Sequence, residues 1–311
     1  MTKEIYNFST LQNITKETPK YFHEKYYNNK GSKFNFLNFG GLRTKGKFKK
    51  TQIGKPLITI ITVCYNSELV LEKTIKSVLN QDYHNIEYIL VDGSSNDKTI
   101  DIIKKYETSI DFWVSEPDLG IYNAMNKGIL LSSGDIIGIL NSNDTYTENA
   151  LATVSNYFIN NEIDFLFGSV MKERLLSGFN KNKISWKFNI YPAHSSGFFI
   201  SQNSQIAAGL YDEKFKLHAD YDLIFRLTEK LKLKGLATKR DELIGIFSAD
   251  GISSKENSYS YFLEEFKIRK KNNQNIFFLI LLFVIKIVYH NLNKINFIKK
   301  IFSTIRKKIN Y

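Results

Sequence analysis

The sequence predicts an α/β protein with a mostly parallel, Rossmann-like central sheet flanked by helices, followed by a basic amphipathic helical tail. Between residues 56 and 265, short apolar runs alternate with amphipathic helical patterns. Strands separated by helices need crossover connections, which give parallel neighbours covered on both faces. The runs are brief and rich in Ile, Val and Leu, as buried strands are. From Phe266 to Tyr311 the character changes to eleven Lys and Arg, no Asp or Glu, and long apolar stretches.

Taken in order, residues 1–55 are polar and aromatic and end in the Gly- and Lys-punctuated "NFGGLRTKGKFKK", read as an N-terminal extension and linker. Their opening, "MTKEIYNFSTLQNITKETPK", has no apolar stretch of the kind a cleaved secretory signal carries. Leu57 to Val63 then reads as a buried strand. Leu69 to Leu79 reads as a helix with Val70, Leu71, Ile75, Val78 and Leu79 inward. "IEYILVDG", "DFWVS" and "DIIGIL" follow as strands, with "DKTIDIIKKY" and "IYNAMNKGILL" as the helices between them. Cys64 is the single cysteine, so no intrachain disulfide forms; a buried thiol in an apolar run fits a reducing, cytoplasmic setting.

The tail, residues 266–311, has two parts. "IFFLILLFVIKIVY" is interrupted by Lys286 and is shorter than the roughly 20 residues a spanning helix needs. After it, Ile295, Ile298, Phe302, Ile305 and Ile309 recur at three and four, with Lys299, Lys300, Arg306, Lys307 and Lys308 on other faces. That is the pattern of a helix lying peripherally on an anionic membrane; the alternatives are a packed helical hairpin or an oligomer contact. Subtracting the eleven tail bases from the net charge of +12 leaves about +1 for the rest of the chain. A nucleic-acid-binding surface on the globular part therefore loses its electrostatic support.

Ligands of parallel sheets bind beyond the carboxyl ends of the strands. Strand one ends in Thr62, Cys64, Tyr65 and Asn66; strand two in Asp92, Gly93, Ser94, Ser95, Asn96 and Asp97; strand three in Glu116, Pro117, Asp118 and Gly120. Strand four ends in Asn141, Ser142, Asn143 and Asp144. Each cluster alone has a turn or helix-cap explanation; four consecutive polar edges point to one crevice. No G-x-G-x-x-G and no G-x-x-x-x-G-K-[ST] occurs, which argues against a dinucleotide fingerprint and a P-loop. A diphosphate would then be held through Mg2+ or Mn2+, which commonly takes one or two carboxylates; Asp144 is the candidate ligand.

"PLITIITVCYNSE", "YILVDGSSNDKTIDI", "SEPDLGIYNAMNKGI", "GDIIGILNSND" and "HADYDLIFRL" occur in that order across residues 56–255. Together they resemble the successive signatures of family 2 glycosyltransferases of the GT-A fold, especially bacterial enzymes of O-antigen, capsule or exopolysaccharide synthesis. The resemblance implies inverting transfer from a nucleotide-diphosphate sugar, a UDP-hexose or UDP-N-acetylhexosamine, to a glycan or lipid-diphosphate-linked acceptor. It implies work on the cytoplasmic side of a bacterial inner membrane. By the same resemblance Thr62, Tyr65, Asn66 and Asp92 hold the nucleoside, Asp118 shapes the nucleotide pocket, and Asp144 touches Mn2+ or Mg2+. Asn143 falls where the family often has a second aspartate, so it can bond ribose or water but supplies no charge.

Asp220 aligns with the catalytic base, and Asp222 is expected to support the loop or pair with Arg226. His194, in "YPAHSSGFFI", matches a position tied to acceptor or sugar binding, and "FSADGISS", Phe247 to Ser254, resembles a loop that closes over donor. The competing reading is a catalytically silent nucleotide-sugar-binding scaffold at the membrane.

Overall fold

The computed structural model describes residues 38–181, 184, 195–248 and 258–292. His194, residues 249–254 of the expected closing loop and the amphipathic stretch beyond residue 292 lie outside the described residues.

The strands and helices read from the sequence form where expected. Strand β1 (Asn38–Gly40) precedes β2 (Ile58–Cys64), and α1 (Leu71–Leu79) leads to β3 (Ile86–Asp92). Helix α2 (Thr99–Lys105), β4 (Phe112–Ser115), α3 (Ile121–Leu131) and β5 (Ile136–Ile139) complete the first half. There β4, β3, β2 and β5 are neighbours in that order and all parallel. The second half contributes β6 (Thr145–Tyr146), α4 (Ala150–Asn160), β7 (Phe165–Phe167), β8 (Ser169–Met171) and β9 (Leu175–Leu176). It continues with β10 (Phe198–Ser201), α5 (Gln202–Ala208), α6 (Ala219–Phe225), β11 (Gly235–Ala237) and β12 (Leu243–Ile246). Helices α7 (Ser258–Lys271) and α8 (Ile276–Leu292) close the described chain.

The main sheet runs β1-β4-β3-β2-β5-β10-β7-β11, with β10 antiparallel to both neighbours and β1 antiparallel to β4. A second sheet, β6-β12-β8-β9, sits beside it. The period-two alternation of β2 separates two cores. Ile58, Ile60 and Cys64 meet Leu71, Ile75 and Val78 of α1 on one face, while Ile61 and Val63 join Ala124, Met125 and Ile129 of α3 on the other. Helix α3 approaches β2 so closely that a Cβ at Gly128 would lie 2.2 Å from Ile61 Cγ2. A larger residue there would push the helix off the sheet.

Residues 38–45, expected in an extension, belong to the fold. Strand β1 pairs with β4, and Arg43 is buried, donating to the Leu131 carbonyl at 2.7 Å and ion-pairing with the equally buried Glu87. Glu87 sits inside β3 and also accepts from Thr59 Oγ1 at 2.6 Å and Ser133 N at 2.8 Å. Burial raises the Glu87 pKa, but Arg43 and these donors outweigh it and hold the carboxyl below its ordinary range. Hydropathy missed this because the segment is joined to the sheet by edge-strand hydrogen bonds and one ion pair rather than by an apolar run.

Removing one partner of a buried pair leaves the other charged and unpaired. Arg43→Ala should destabilise the protein by about 3–5 kcal/mol, measured by urea unfolding. An unchanged midpoint would return residues 38–45 to the status of a loose extension.

Candidate active site

The four parallel strands deliver their carboxyl ends to one edge. At β2, Tyr65 is 61 % exposed, and Asn66 adopts a left-handed φ of 46°. At β3, Ser94 is left-handed as well, with φ 64°. Asn66 N–H donates to Ser95 Oγ at 2.8 Å and Asn66 Oδ1 accepts from Asn96 N at 3.0 Å, so Asn66 knits the two loops together. A Cβ at Gly93 would lie 2.5 Å from Asp118 Oδ2 and 3.3 Å from the Tyr65 ring. Glycine there is what lets Asp118 and Tyr65 come together over the β3 end, and Asp118 Oδ1 is fixed by Gly120 N at 2.8 Å.

Two predicted nucleoside contacts are fully buried and bonded within the fold. Thr62 is fully buried with its hydroxyl 3.1 Å from Tyr88 Oη, so it braces neighbouring strands instead of facing a ligand. Asp92 is also fully buried; Oδ2 accepts from Ser95 N at 2.9 Å and Ser115 Oγ at 2.7 Å, and Oδ1 accepts from Ser95 Oγ. The carboxylate thereby shapes the β3 and β4 loops from within. Ser95 belongs to the polar cluster read at the end of strand two, whereas Ser115, inside the apolar "DFWVS" strand, carried no distinguishing signal in the sequence.

The loop after β5 is tied down from below. Thr74 Oγ1 of α1 lies 2.9 Å from the Ser142 carbonyl and 2.8 Å from the Asp144 carbonyl, and Ser142 Oγ is 2.9 Å from Ser67 Oγ. Asn143 is exposed and donates from Nδ2 to Ser248 Oγ at 2.7 Å. Asp144 is 2 % exposed; Oδ1 accepts from Ser248 N at 3.0 Å, while the buried Oδ2 has no partner among the described residues. Asn141 Oδ1 is likewise buried and unpartnered, although its Nδ2 donates to Ser195 Oγ at 2.9 Å. Burial pushes the Asp144 pKa up to about 7, partly offset by the Ser248 N–H and by Lys172.

Unsatisfied buried acceptors are rare in folded proteins and call for an explanation. Among the described residues no group of three or more His, Cys, Asp and Glu gathers. The loop thus offers one carboxylate and one carboxamide oxygen. That donor set suits Mg2+ or Mn2+, which commonly binds through one or two carboxylates and completes its shell with substrate phosphates and water.

Asp220 occupies the first turn of α6, half-buried. Its Oδ1 accepts from Tyr221 N at 2.8 Å and lies 3.2 Å from the Tyr122 hydroxyl, itself 3.1 Å from the Leu217 carbonyl. Burial raises the Asp220 pKa to about 6 against the pull of these donors. Tyr122 stands in the first turn of α3, directly after the Asp118 loop, and Lys216 Nζ reaches the Leu119 carbonyl at 3.0 Å. The nucleotide-pocket loop and the approach to Asp220 are therefore adjacent, although about a hundred residues separate them in the chain.

Asp222 points away into the fold. It is fully buried and pairs with Arg226 Nε at 3.0 Å and Lys271 Nζ at 3.0 Å, and Asn272 Nδ2 donates to it at 3.1 Å. The expected Arg226 partner is present; the α7 partners arise only in three dimensions. Glu264 of α7 adds a second hold, accepting from Lys216 N at 3.1 Å, Leu217 N at 2.7 Å and His218 N at 2.8 Å. His218 lies edge-on to Tyr261 at 4.6 Å, and burial lowers its pKa to about 4. Asp222→Ala strips the shared acceptor from Arg226, Lys271 and Asn272. It should cost about 3 kcal/mol in chemical unfolding, Lys271 being half exposed and less dependent on it; unchanged stability would mean that the Asp222 contacts do not fasten α7 to α6.

The family model described as glycosyl transferase family 2 matches residues 59–214. The glycosyltransferase MT1564 of Mycobacterium tuberculosis is 31 % identical over 182 residues, covering 55 % of this chain and 68 % of its own. A structure of the 1–349 segment of Staphylococcus aureus TarS in complex with UDP-GlcNAc superposes with a TM-score of 0.57 at 15 % identity, covering 68 % of this chain and 65 % of that one. The corresponding match spans 38 % of the longer TarS chain. The mannosyltransferase PcManGT from Pyrobaculum calidifontis, in complex with GDP-Man and Mn2+, gives a TM-score of 0.53 at 15 % identity, covering 73 % of this chain and 66 % of its own. At these identities the superpositions establish the GT-A architecture.

Proposed function

Because the chain belongs to glycosyl transferase family 2 and is a glycosyltransferase, we propose that it moves a hexose or N-acetylhexosamine from a uridine-diphosphate sugar to a hydroxyl of a glycan or lipid-diphosphate-linked oligosaccharide, with inversion, in the building of a cell-surface polysaccharide. The observation that carries the mechanism is the Asp220 carboxyl, lifted by burial to about 6 and oriented by Tyr122 and the Tyr221 N–H. A base whose pKa lies just below working pH is ionised yet accepts a proton readily.

Asp220 takes the acceptor hydroxyl proton as that oxygen bonds to the anomeric carbon, and the bond from that carbon to the diphosphate oxygen breaks on the opposite face. Tyr65 and Asp118 frame the nucleoside, with Gly93 leaving room for both. Asp144 through Oδ2, with the Asn141 carboxamide oxygen, would hold a divalent cation, which when bound supplies positive charge to the leaving diphosphate. Asn143, engaged with Ser248, ties the start of the 247–254 segment to the same loop. The UDP-GlcNAc complex of TarS supports the donor class.

The test is calorimetric titration with UDP, GDP and dTDP, with and without Mn2+, followed by proton NMR of the product anomer. Binding to UDP with an inverted product supports the reading; preference for another nucleotide, or retention, removes it.

A further inference from the structure

Helix α8 presents two opposite faces. Leu279, Leu282 and Lys286 are buried toward the protein, and the Lys286 ammonium ion-pairs with Glu265 of α7, which also binds Arg269 Nε at 2.8 Å. The other face carries Phe277, Ile280, Leu281, Val284 and Val288, with Phe277 79 % and Leu281 59 % exposed. A contiguous apolar stripe of this kind on a monomer marks an interaction surface.

Three observations select its occupant. Lys267 and Lys270 of α7, the helix to which Lys286 fastens α8, are exposed. The sequence after Leu292 carries Lys294, Lys299, Lys300, Arg306, Lys307 and Lys308, and no acidic residue follows Glu265. Two copies meeting through this face would bring these cationic segments together, whereas an anionic bilayer complements them. The 17 residues of α8 reach about 26 Å, short of a hydrocarbon core of about 30 Å, and none of the described helices is long and apolar enough to cross a membrane. Inserting α8 across a bilayer would also tear Lys286 from Glu265.

We propose that the exposed face of α8 is a docking surface for an anionic phospholipid bilayer, with the helix parallel to the membrane and Lys286 fastening it to the enzyme.

The full-length protein is sedimented with vesicles of phosphatidylcholine alone and of phosphatidylcholine with phosphatidylglycerol. Binding is expected to the anionic vesicles and to weaken with added salt. The double variant Phe277→Ser and Leu281→Ser should lower partitioning about tenfold or more while leaving thermal stability and UDP binding unchanged. A Phe277→Trp variant, which keeps the face apolar, should show a blue-shifted emission on anionic vesicles. Equal partitioning of the double variant, or no emission shift, overturns the proposal. So does a wild-type dimer that the double variant dissolves, which would assign the face to a second copy. A fall in melting temperature with unchanged vesicle binding overturns it too, assigning the face to residues 293–311 of the same chain. The UDP titration reads the catalytic proposal separately.

Discussion

Asp220→Asn should lower kcat by roughly 10²- to 10⁴-fold with little change in donor affinity, because the amide keeps the shape of the carboxyl but cannot accept a proton in the transition state. Its stability should not fall. The folded-state pKa of about 6 lies above the ordinary 3.8, so between these values the folded protein holds a proton that the unfolded chain releases. That contribution is present at low pH and lost as pH rises toward 6, leaving the wild type with a half-buried charge that Asn does not carry. The expected signature is a variant with a melting temperature at neutral pH equal to or above that of wild type, and an activity reduced by orders of magnitude. Wild-type kcat/KM at saturating Mn2+ should climb about tenfold per pH unit below 6, where the free-enzyme carboxyl is protonated. Activity of Asp220→Asn within a few-fold of wild type would exclude Asp220 as the base.

Asp144→Ala should abolish the metal-dependent part of UDP binding, a loss of ~100-fold or more, since the 141–144 loop, Asn-Ser-Asn-Asp, has no second carboxylate to take over. The wild-type dependence on pH follows from burial. With the carboxyl held up to about 7, a cation must displace a proton from it below that value, so Mn2+-dependent UDP affinity should strengthen as pH rises toward 7 and flatten beyond. The same shift makes the ionised loop a cost to folding above pH 7 in the absence of metal. Asp144→Asn should then match or exceed wild-type stability there, as measured by thermal melts in chelator. Calorimetric titration of Asp144→Ala with UDP and Mn2+ decides the point: wild-type affinity would reduce "NSND" to a turn.

The strands and helices of the first half were legible because their apolar periodicities are strong and their boundaries punctuated. Helix α3 at Ile121–Leu131 matches the sequence reading residue for residue. The polar edge was legible too, since parallel strands must deliver their carboxyl ends together. Sequence alone therefore determined the α/β class, the glycosyltransferase family and the candidacy of Tyr65, Asp118, Asn143, Asp144 and Asp220.

Which of those polar groups face outward was decided only by packing. Asp92 and Asp118 look alike in the chain, yet one is sealed among Ser95 and Ser115 and the other rests half-exposed against Gly93. Asp220 and Asp222 stand two apart on α6, a spacing that turns them to different sides, and Lys271 and Asn272 of α7 claim the second. The place of residues 38–45 and the two faces of α8 were hidden for the same reason. An ion pair such as Arg43 with Glu87, or Lys286 with Glu265, joins residues far apart in the chain and leaves no periodic trace, so a buried cation reads like a solvated one until its partner is seen.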